Sequence, residues 1–492
     1  MIARSSRAQV LLPILLLLSS TLLIIPSFGK PIRKVEECLS KCKESFFYHQ
    51  DRHLLENCDL ICFDKYDGSH GEGIEKKEGE QQRGEGQNQY YYGEENFEYW
   101  MKSALGHFKV LERFTERFKL LQGIGNFRLA ILEANPRTFV LPSHMDAEEL
   151  FYVMEGRGVV NVLEISGRNS YDIEQGQILS FDAGSQAYLI NKDDNKKLRI
   201  AMLLRPVSSP GRFKEFFGAG GRSPESFYRS FSTKVLEAAF NTTKARLEKL
   251  FGQQRGEIIK ATEEQIKALT EPPTEPGGWF FGPSKQCRRS GISLTSRQNR
   301  VWYSNEHGEL YKIYACDYSD LCDLGVEISF ANISRGSMMA PHYNSMATLA
   351  ALVVEGEGYF EMACPHIERG RTHYRAVRSQ VSHGSVFVIP AGHPVVAVAS
   401  RDENLQVLFL GMNAKHNRVH FLAGLGFAFH LLRFFWENNV LNHMENVAKE
   451  LSFNAPARVV DEVFNAQKRA GFLPGPDEIH EEERGTRTWT AI

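Results

Sequence analysis

Residues 149–205 read ELFYVMEGRGVVNVLEISGRNSYDIEQGQILSFDAGSQAYLINKDDNKKLRIAMLLR. Residues 348–412 repeat their plan as TLAALVVEGEGYFEMACPHIERGRTHYRAVRSQVSHGSVFVIPAGHPVVAVASRDENLQVLFLGM. Each copy runs from an apolar strand to a Gly-x-Gly turn, at Gly156 and Gly158 or at Gly356 and Gly358, and into a second strand. A later glycine, Gly176 or Gly384, precedes five residues and a turn at Asp182-Ala-Gly184 or Pro390-Ala-Gly392, after which two more strands follow. Short strands separated by turn residues and repeated at domain spacing predict a duplicated, mainly β domain.

Outward from that repeat, a chain of 492 residues with 42% hydrophobic content has room for two or three domains with real cores. Its 58 Lys+Arg nearly balance 60 Asp+Glu, for a formal charge of −2, so no field favours nucleic acid or an anionic membrane. Residues 1–29 read as a secretory signal: Arg4 and Arg7 form the basic start, Val10 to Ile25 the apolar stretch, and Ser27 to Gly29 the small-residue exit. Pro13, Ser19, Ser20 and Pro26 interrupt the apolar stretch, which favours cleavage over anchoring and a protein with no membrane attachment afterwards. The sequons Asn241-Thr-Thr and Asn332-Ile-Ser suit that route as glycosylation acceptors.

Four of the eight cysteines cluster early, as Cys38-x3-Cys42 and Cys58-x3-Cys62. A spacing of four puts each pair on one helical face, and two short antiparallel helices over 30–67 would be riveted by Cys38–Cys62 and Cys42–Cys58. A zinc site and free thiols are the alternatives; the secretory setting and the small size of the segment favour disulfides. Residues 68–89, rich in Gly, Glu and Gln, read as a disordered linker. Alternation from Phe108 to Pro206 predicts an antiparallel barrel or sandwich, and 223–265 turn helical after the start signal Ser223-Pro224-Glu225. The stretch 271–300 reads as a second linker and 476–492 as a flexible tail. Phe421 to Phe435 and Val440 to Leu451 are very apolar for a chain end, so burial against a neighbouring subunit is expected.

Pro142-Ser-His-Met-Asp-Ala-Glu-Glu-Leu-Phe-Tyr-Val, with Gly156, Gly176 and Asp182-Ala-Gly184, resembles the first barrel of the vicilins, the 7S seed storage globulins of the cupin superfamily. Ser208-Ser-Pro-Gly-Arg-Phe-Lys-Glu-Phe-Phe217 and Ser230-Phe231 resemble the connection to that family's interface helices. Gly384-Ser-Val-Phe-Val-Ile-Pro-Ala-Gly-His-Pro394 and Phe421-Leu-Ala-Gly424 resemble its second half. The resemblance spans roughly 90–470 and implies a bicupin, with one barrel and its interface helices over 90–270 and another over 301–475. It also implies a homotrimer, glycosylated and delivered through the secretory pathway to the protein storage vacuole, with an extracellular route as the alternative. The Cys-x3-Cys module resembles the α-hairpinin peptides.

Metal-dependent cupins use His-x-His with a nearby Glu and a further His after Gly-x5-Pro-x-Gly-x2, side chains that alternate strand positions aim into the barrel. The first copy offers His144-Met-Asp146, Glu148 and Glu149, but Ala187 stands at the last histidine, so an empty site with His144 as a satisfied polar residue is expected. The second copy offers His342-Tyr-Asn344 with Ala347 and Thr348 where the acid belongs. It also carries Cys364-Pro-His366 on one strand and His393 after a turn, a thiolate with two imidazoles that suits copper first and zinc second. The vicilin resemblance implies a tyrosine completing such a copper site, and Tyr91 within Tyr90–Tyr92 is the best match, in a register open by one residue. The competing reading pairs Cys364 with Cys287, Cys316 or Cys322.

The function expected on these grounds is a non-enzymatic nutrient reservoir. The alternatives are copper-dependent redox or superoxide-scavenging chemistry, a small organic ligand held in a barrel mouth, and an antimicrobial-type peptide released by processing near the 68–89 linker. No Gly-x-Ser-x-Gly, phosphate loop or His-Glu-x-x-His occurs, and Gly218-Ala-Gly220-Gly221 reads as a linker.

Overall fold

The computed structural model describes residues 88–476, except 166, 271–287, 296–300, 366–373 and 431–432. The signal segment, the four-cysteine module, most of the 68–89 linker, Cys287, His366 and the tail lie outside the described residues. Within them the chain forms two barrels, each of two apposed antiparallel sheets.

In the first barrel, one sheet orders the strands 292–293, 177–181, 147–155, 198–206, 128–134, 106–111 and 97–103. The other is built around 138–145, 186–191, 157–164 and 167–174, with 215–217 and 258–260 both added to 138–145. The second barrel repeats this with 386–389, 348–355, 405–412, 327–333, 308–313 and 301–305 in one sheet, and 375–381, 358–364, 395–399, 337–344 and 419–421 in the other. The strand Ala147–Glu155 shows why the repeat reads as near-continuous apolar runs. Phe151 and Val153 fill the barrel interior, whereas Leu150, Tyr152 and Met154 join a larger core that continues into the second barrel. A strand buried on both faces needs apolar residues at every position.

The Gly-x-Gly turns are steric necessities. Gly156 and Gly356 sit at φ +83° and +85°, and a Cβ on either would collide with a backbone carbonyl, of Lys197 or of Asn404.

The barrels exchange edge strands. Tyr91–Tyr92 pairs with the second barrel's Val386–Ile389, Tyr91 opposite Phe387. Ile292–Ser293 pairs with the first barrel's Gln177–Phe181, and Arg288–Ser290 runs parallel to its Gly167–Glu174. Residues 288–293 therefore add strands to the first barrel, although they fall in the stretch 271–300 expected to be a linker. Covering an open sheet edge satisfies a row of backbone groups that composition alone does not reveal.

Each barrel carries a pair of eight-residue helices, Thr233–Phe240 with Lys244–Phe251 and Asn446–Phe453 with Ala457–Phe464, and a further eight-residue helix, Glu263–Thr270, comes after the first pair. The first helix of each pair ends on a left-handed asparagine, Asn241 or Asn454. The start signal at Ser223 is not used. Ser223 ends a short strand, and the first of these helices begins at Thr233, where Ser232 Oγ accepts from the Val235 amide. Apolar side chains remain on the outer helix faces, with Leu250, Val447, Val463 and Leu451 between 65% and 81% exposed. Leu425–His430 and Arg433–Asn438, the apolar run after the second barrel, form a hairpin. No helix among the described residues is long and apolar enough to cross a membrane.

Candidate functional site

The second barrel brings three of the expected donor types into one neighbourhood. Cys364 closes the strand Gly358–Cys364 as a fully buried free thiol. Cys316 and Cys322 are bonded to each other across the helix Ser319–Leu324, so neither pairs with Cys364. His393 follows the Pro390 turn and is 6% exposed. Its Nδ1 lies 3.1 Å from the Ala391 carbonyl. A carbonyl can only accept, so Nδ1 carries the proton and the buried Nε2 holds the lone pair a metal would use.

The tyrosine differs from the expected one by a residue. Tyr90, not Tyr91, places its hydroxyl 3.1 Å from Cys364 Sγ, with its ring centroid 6.4 Å from that of His393. Successive side chains on the crossover strand alternate in direction, so the half-buried Tyr91 leaves this neighbourhood and lines a separate groove with Gly358, Tyr359 and Arg401. Burial, reinforced by the Cys364 contact, raises the Tyr90 phenol above its ordinary range. Ile178, opposite Ile292, holds the place in its strand that Val386, opposite Tyr92, holds in the second barrel, which puts Ser290 at the register position of Tyr90. The first barrel therefore has no counterpart to this phenol. Among the described residues no three His, Cys, Asp or Glu side chains gather at ligand spacing. The donors in hand are a thiol, an imidazole and a phenol.

His342 and Asn344, at the usual cupin ligand positions, belong to a different arrangement. Lys312 Nζ lies 2.8 Å from Glu327 Oε1, both side chains almost wholly buried. Asn417 Nδ2 donates to the same Glu327 oxygen at 2.8 Å and to Asn344 Oδ1 at 2.9 Å. Trp302 and Tyr314 hold the ammonium at 5.3 and 5.0 Å from their ring centroids. His342 donates from Nδ1 to Ala340 at 2.8 Å, and burial pushes its pKa down to about 4, so it stays neutral beside Lys312. Only about 20 Å³ of space is left here.

The first barrel is open instead. A cavity of about 430 Å³ is walled by Trp100, Phe108, Leu132, Val160, Met202 and other apolar side chains. His144 lies on its wall, satisfied by Gln186 Oε1 at 3.1 Å and stacked on Phe216 at 5.1 Å. Period-two alternation separates the neighbouring acids. Glu148 turns outward to accept from Arg205 Nε at 2.5 Å, whereas Glu149 faces the cavity. Glu215 also faces it, accepting from Ser143 Oγ at 2.6 Å, and Glu257 lies on the same wall. Burial, then the Glu215 charge, pushes Glu149 up to about 8; burial, then Glu257, pushes Glu215 up to about 7. Sequence reading missed Glu215 because it sits on a strand outside the repeat. Lys214-Glu-Phe-Phe217 shows no polar/apolar alternation that would have marked it.

The two sequons differ in setting. Asn241 is exposed at the end of a helix, whereas Asn332 is half-buried between Glu309 and Gln406, and its Oδ1 has no hydrogen-bond partner among the described residues.

Comparison with known proteins places this arrangement in context. The Cupin family profile matches residues 293–440. The chain is 42% identical over 461 residues to the vicilin Cor a 11.0101 of Corylus avellana, covering 93% of this chain and 98% of that protein. The crystal structure of vicilin from Corylus avellana superposes with a TM-score of 0.71 at 45% identity, covering 79% of this chain and all of that one. The vicilin from Solanum melongena, whose structure revealed different anionic ligands in structurally similar pockets, superposes with a TM-score of 0.71 at 36% identity over 79% of this chain and 98% of its own.

Proposed function

The chain is a member of the vicilins, the 7S globulins of the cupin superfamily, and from that premise we infer that it serves as a seed storage globulin, a nitrogen reserve. The observation that carries this reading is the fate of the two cupin ligand sets. The first barrel keeps one imidazole of the three and has Ala187 at the last position. The second has an internal ion pair, Lys312 with Glu327, where an open coordination sphere would be needed. Neither barrel retains the machinery of a metal-dependent cupin enzyme, and a reservoir requires only folding, packing and secretion. Delivery through the secretory route to a storage vacuole, and a glycan at the exposed Asn241, complete the reading. The outer helix faces, with Leu250, Val447 and Leu451 exposed, support assembly into a homotrimer through those helices.

One copper ion per chain, held by Cys364, His393 and Tyr90 with His366, is the finer proposal. A buried thiol beside an imidazole and a phenol suits a soft, redox-active ion. When bound, copper would supply one-electron chemistry, while Cys364 and His393 hold it away from solvent.

Immunodetection through seed filling and germination tests the storage role: accumulation to abundance followed by loss is expected, and constant trace levels refute it. Elemental analysis of the natural protein against Cys364→Ala tests the metal separately. Copper near one per chain and lost in the variant is expected; copper far below one in the natural protein removes that proposal and leaves storage standing.

A further inference from the structure

We infer that the cavity of the first barrel is a binding site for a small aryl- or alkylamine, its ammonium group held by Glu149 and Glu215 and its apolar body by the barrel wall. The cavity, at about 430 Å³, falls within the range that accommodates small organic ligands, and its walls are chiefly apolar. Trp100, 41% exposed, stands at its rim, stacked on Phe213 at 4.5 Å. Phe108 and Phe151 line the interior, surfaces on which a flat ring packs well.

The polar end is specific. Glu149 is 7% exposed, and no hydrogen bond or ion pair reaches its carboxyl among the described residues. A buried carboxyl without a partner is costly, and it is aimed into a space that nothing among the described residues fills. Glu215 faces the same space, its one hydrogen bond from Ser143 leaving further acceptor capacity. The titratable groups on the wall are His144, Glu149, Tyr188, Lys214, Glu215 and Glu257. Three are acids, and the only ammonium, Lys214, belongs to an exposed residue. An ammonium ligand supplies the missing charge and donors; a carboxylate ligand would face three acids. The second barrel makes the same point with its own residues, since Lys312 there occupies the place of a cation and pairs with Glu327 at 2.8 Å. That barrel is closed by an internal amine, and the first awaits an external one.

Calorimetric titration of the full-length protein with 2-phenylethylamine, 2-phenylethanol and 3-phenylpropionate separates charge from shape. The amine is expected to bind, the alcohol more weakly, and the carboxylate not at all. Because Glu215 and Glu149 must ionise from about 7 and about 8, amine affinity should rise between roughly tenfold and a hundredfold from about pH 6 to about pH 8.5. Glu149→Gln and Glu215→Gln should each weaken the amine at least roughly tenfold while leaving the alcohol unchanged, so alcohol binding reports that the barrel is intact. Met202→Trp, which fills the cavity from the strand beside the one that carries Glu149, should abolish both. Binding of alcohol as tight as amine, preferential binding of the carboxylate, or an amine affinity indifferent to pH and to both glutamine variants would overturn the assignment.

Discussion

Replacing Glu149 by glutamine should stabilise the ligand-free protein, and only above a definite pH. In the unfolded chain this carboxyl ionises near 4.5, but in the barrel only near 8. Below the lower value both states are protonated and the residue is neutral in effect. As pH rises between the two values the unfolded chain alone gains the charge, so native stability declines; the loss is complete above the folded value. The full interval corresponds to a ceiling of about 5 kcal/mol. Water entering the cavity mouth lowers this, and a working figure of about 2–3 kcal/mol near pH 8 follows for a group that retains some solvent. Glutamine keeps the shape and never ionises, so Glu149→Gln should melt roughly 5–10 °C above the parent near pH 8 and within about 1 °C of it near pH 4.5. Scanning calorimetry across that range, on protein stripped of small molecules, measures the difference directly. A difference that does not grow with pH, or a variant less stable at pH 8, would show that Glu149 is not a buried, unpartnered acid.

Three other outcomes follow from the same geometry. Tyr90→Phe should raise the dissociation constant for copper at least roughly tenfold, while Tyr91→Phe leaves it unchanged, as measured by competition with a chelator, because only Tyr90 reaches Cys364. Lys312→Met should cost about 3–5 kcal/mol in denaturant unfolding, since it strands the buried Glu327 charge, and adding Glu327→Leu should recover most of it. Leu451→Glu, at a position 81% exposed in the single chain, should leave each barrel folded but lower the assembled fraction in sedimentation velocity, an outcome that would locate the subunit contact on the helices.

Much of the fold was legible because the constraints that produce it are local. Gly156 and Gly356 hold positive φ at turns where any side chain would strike backbone, so each copy had to keep its glycine and the repeat remained visible. The loss of cupin ligands was equally plain, since Ala187 cannot coordinate anything. The tyrosine register was not legible. Whether Tyr90 or Tyr91 faces Cys364 depends on how a two-residue strand docks on the other barrel's edge, and period two exchanges the faces with a shift of one. Nor were the strands at 288–293, which owe their conformation to edges more than a hundred positions earlier in the chain.

The sequence by itself determined the duplicated barrels, the absence of a metal-cupin ligand set and the family, because turn glycines and alternating strands impose themselves residue by residue. Only the tertiary structure decided what each barrel interior became. Lys312 meets Glu327 across neighbouring strands and fills one barrel, whereas Glu149 and Glu215 meet across opposite sheets and leave the other open. A pairing between distant strands leaves no periodic mark in the chain, yet it sets the charge, the solvation and hence the chemistry of the space enclosed.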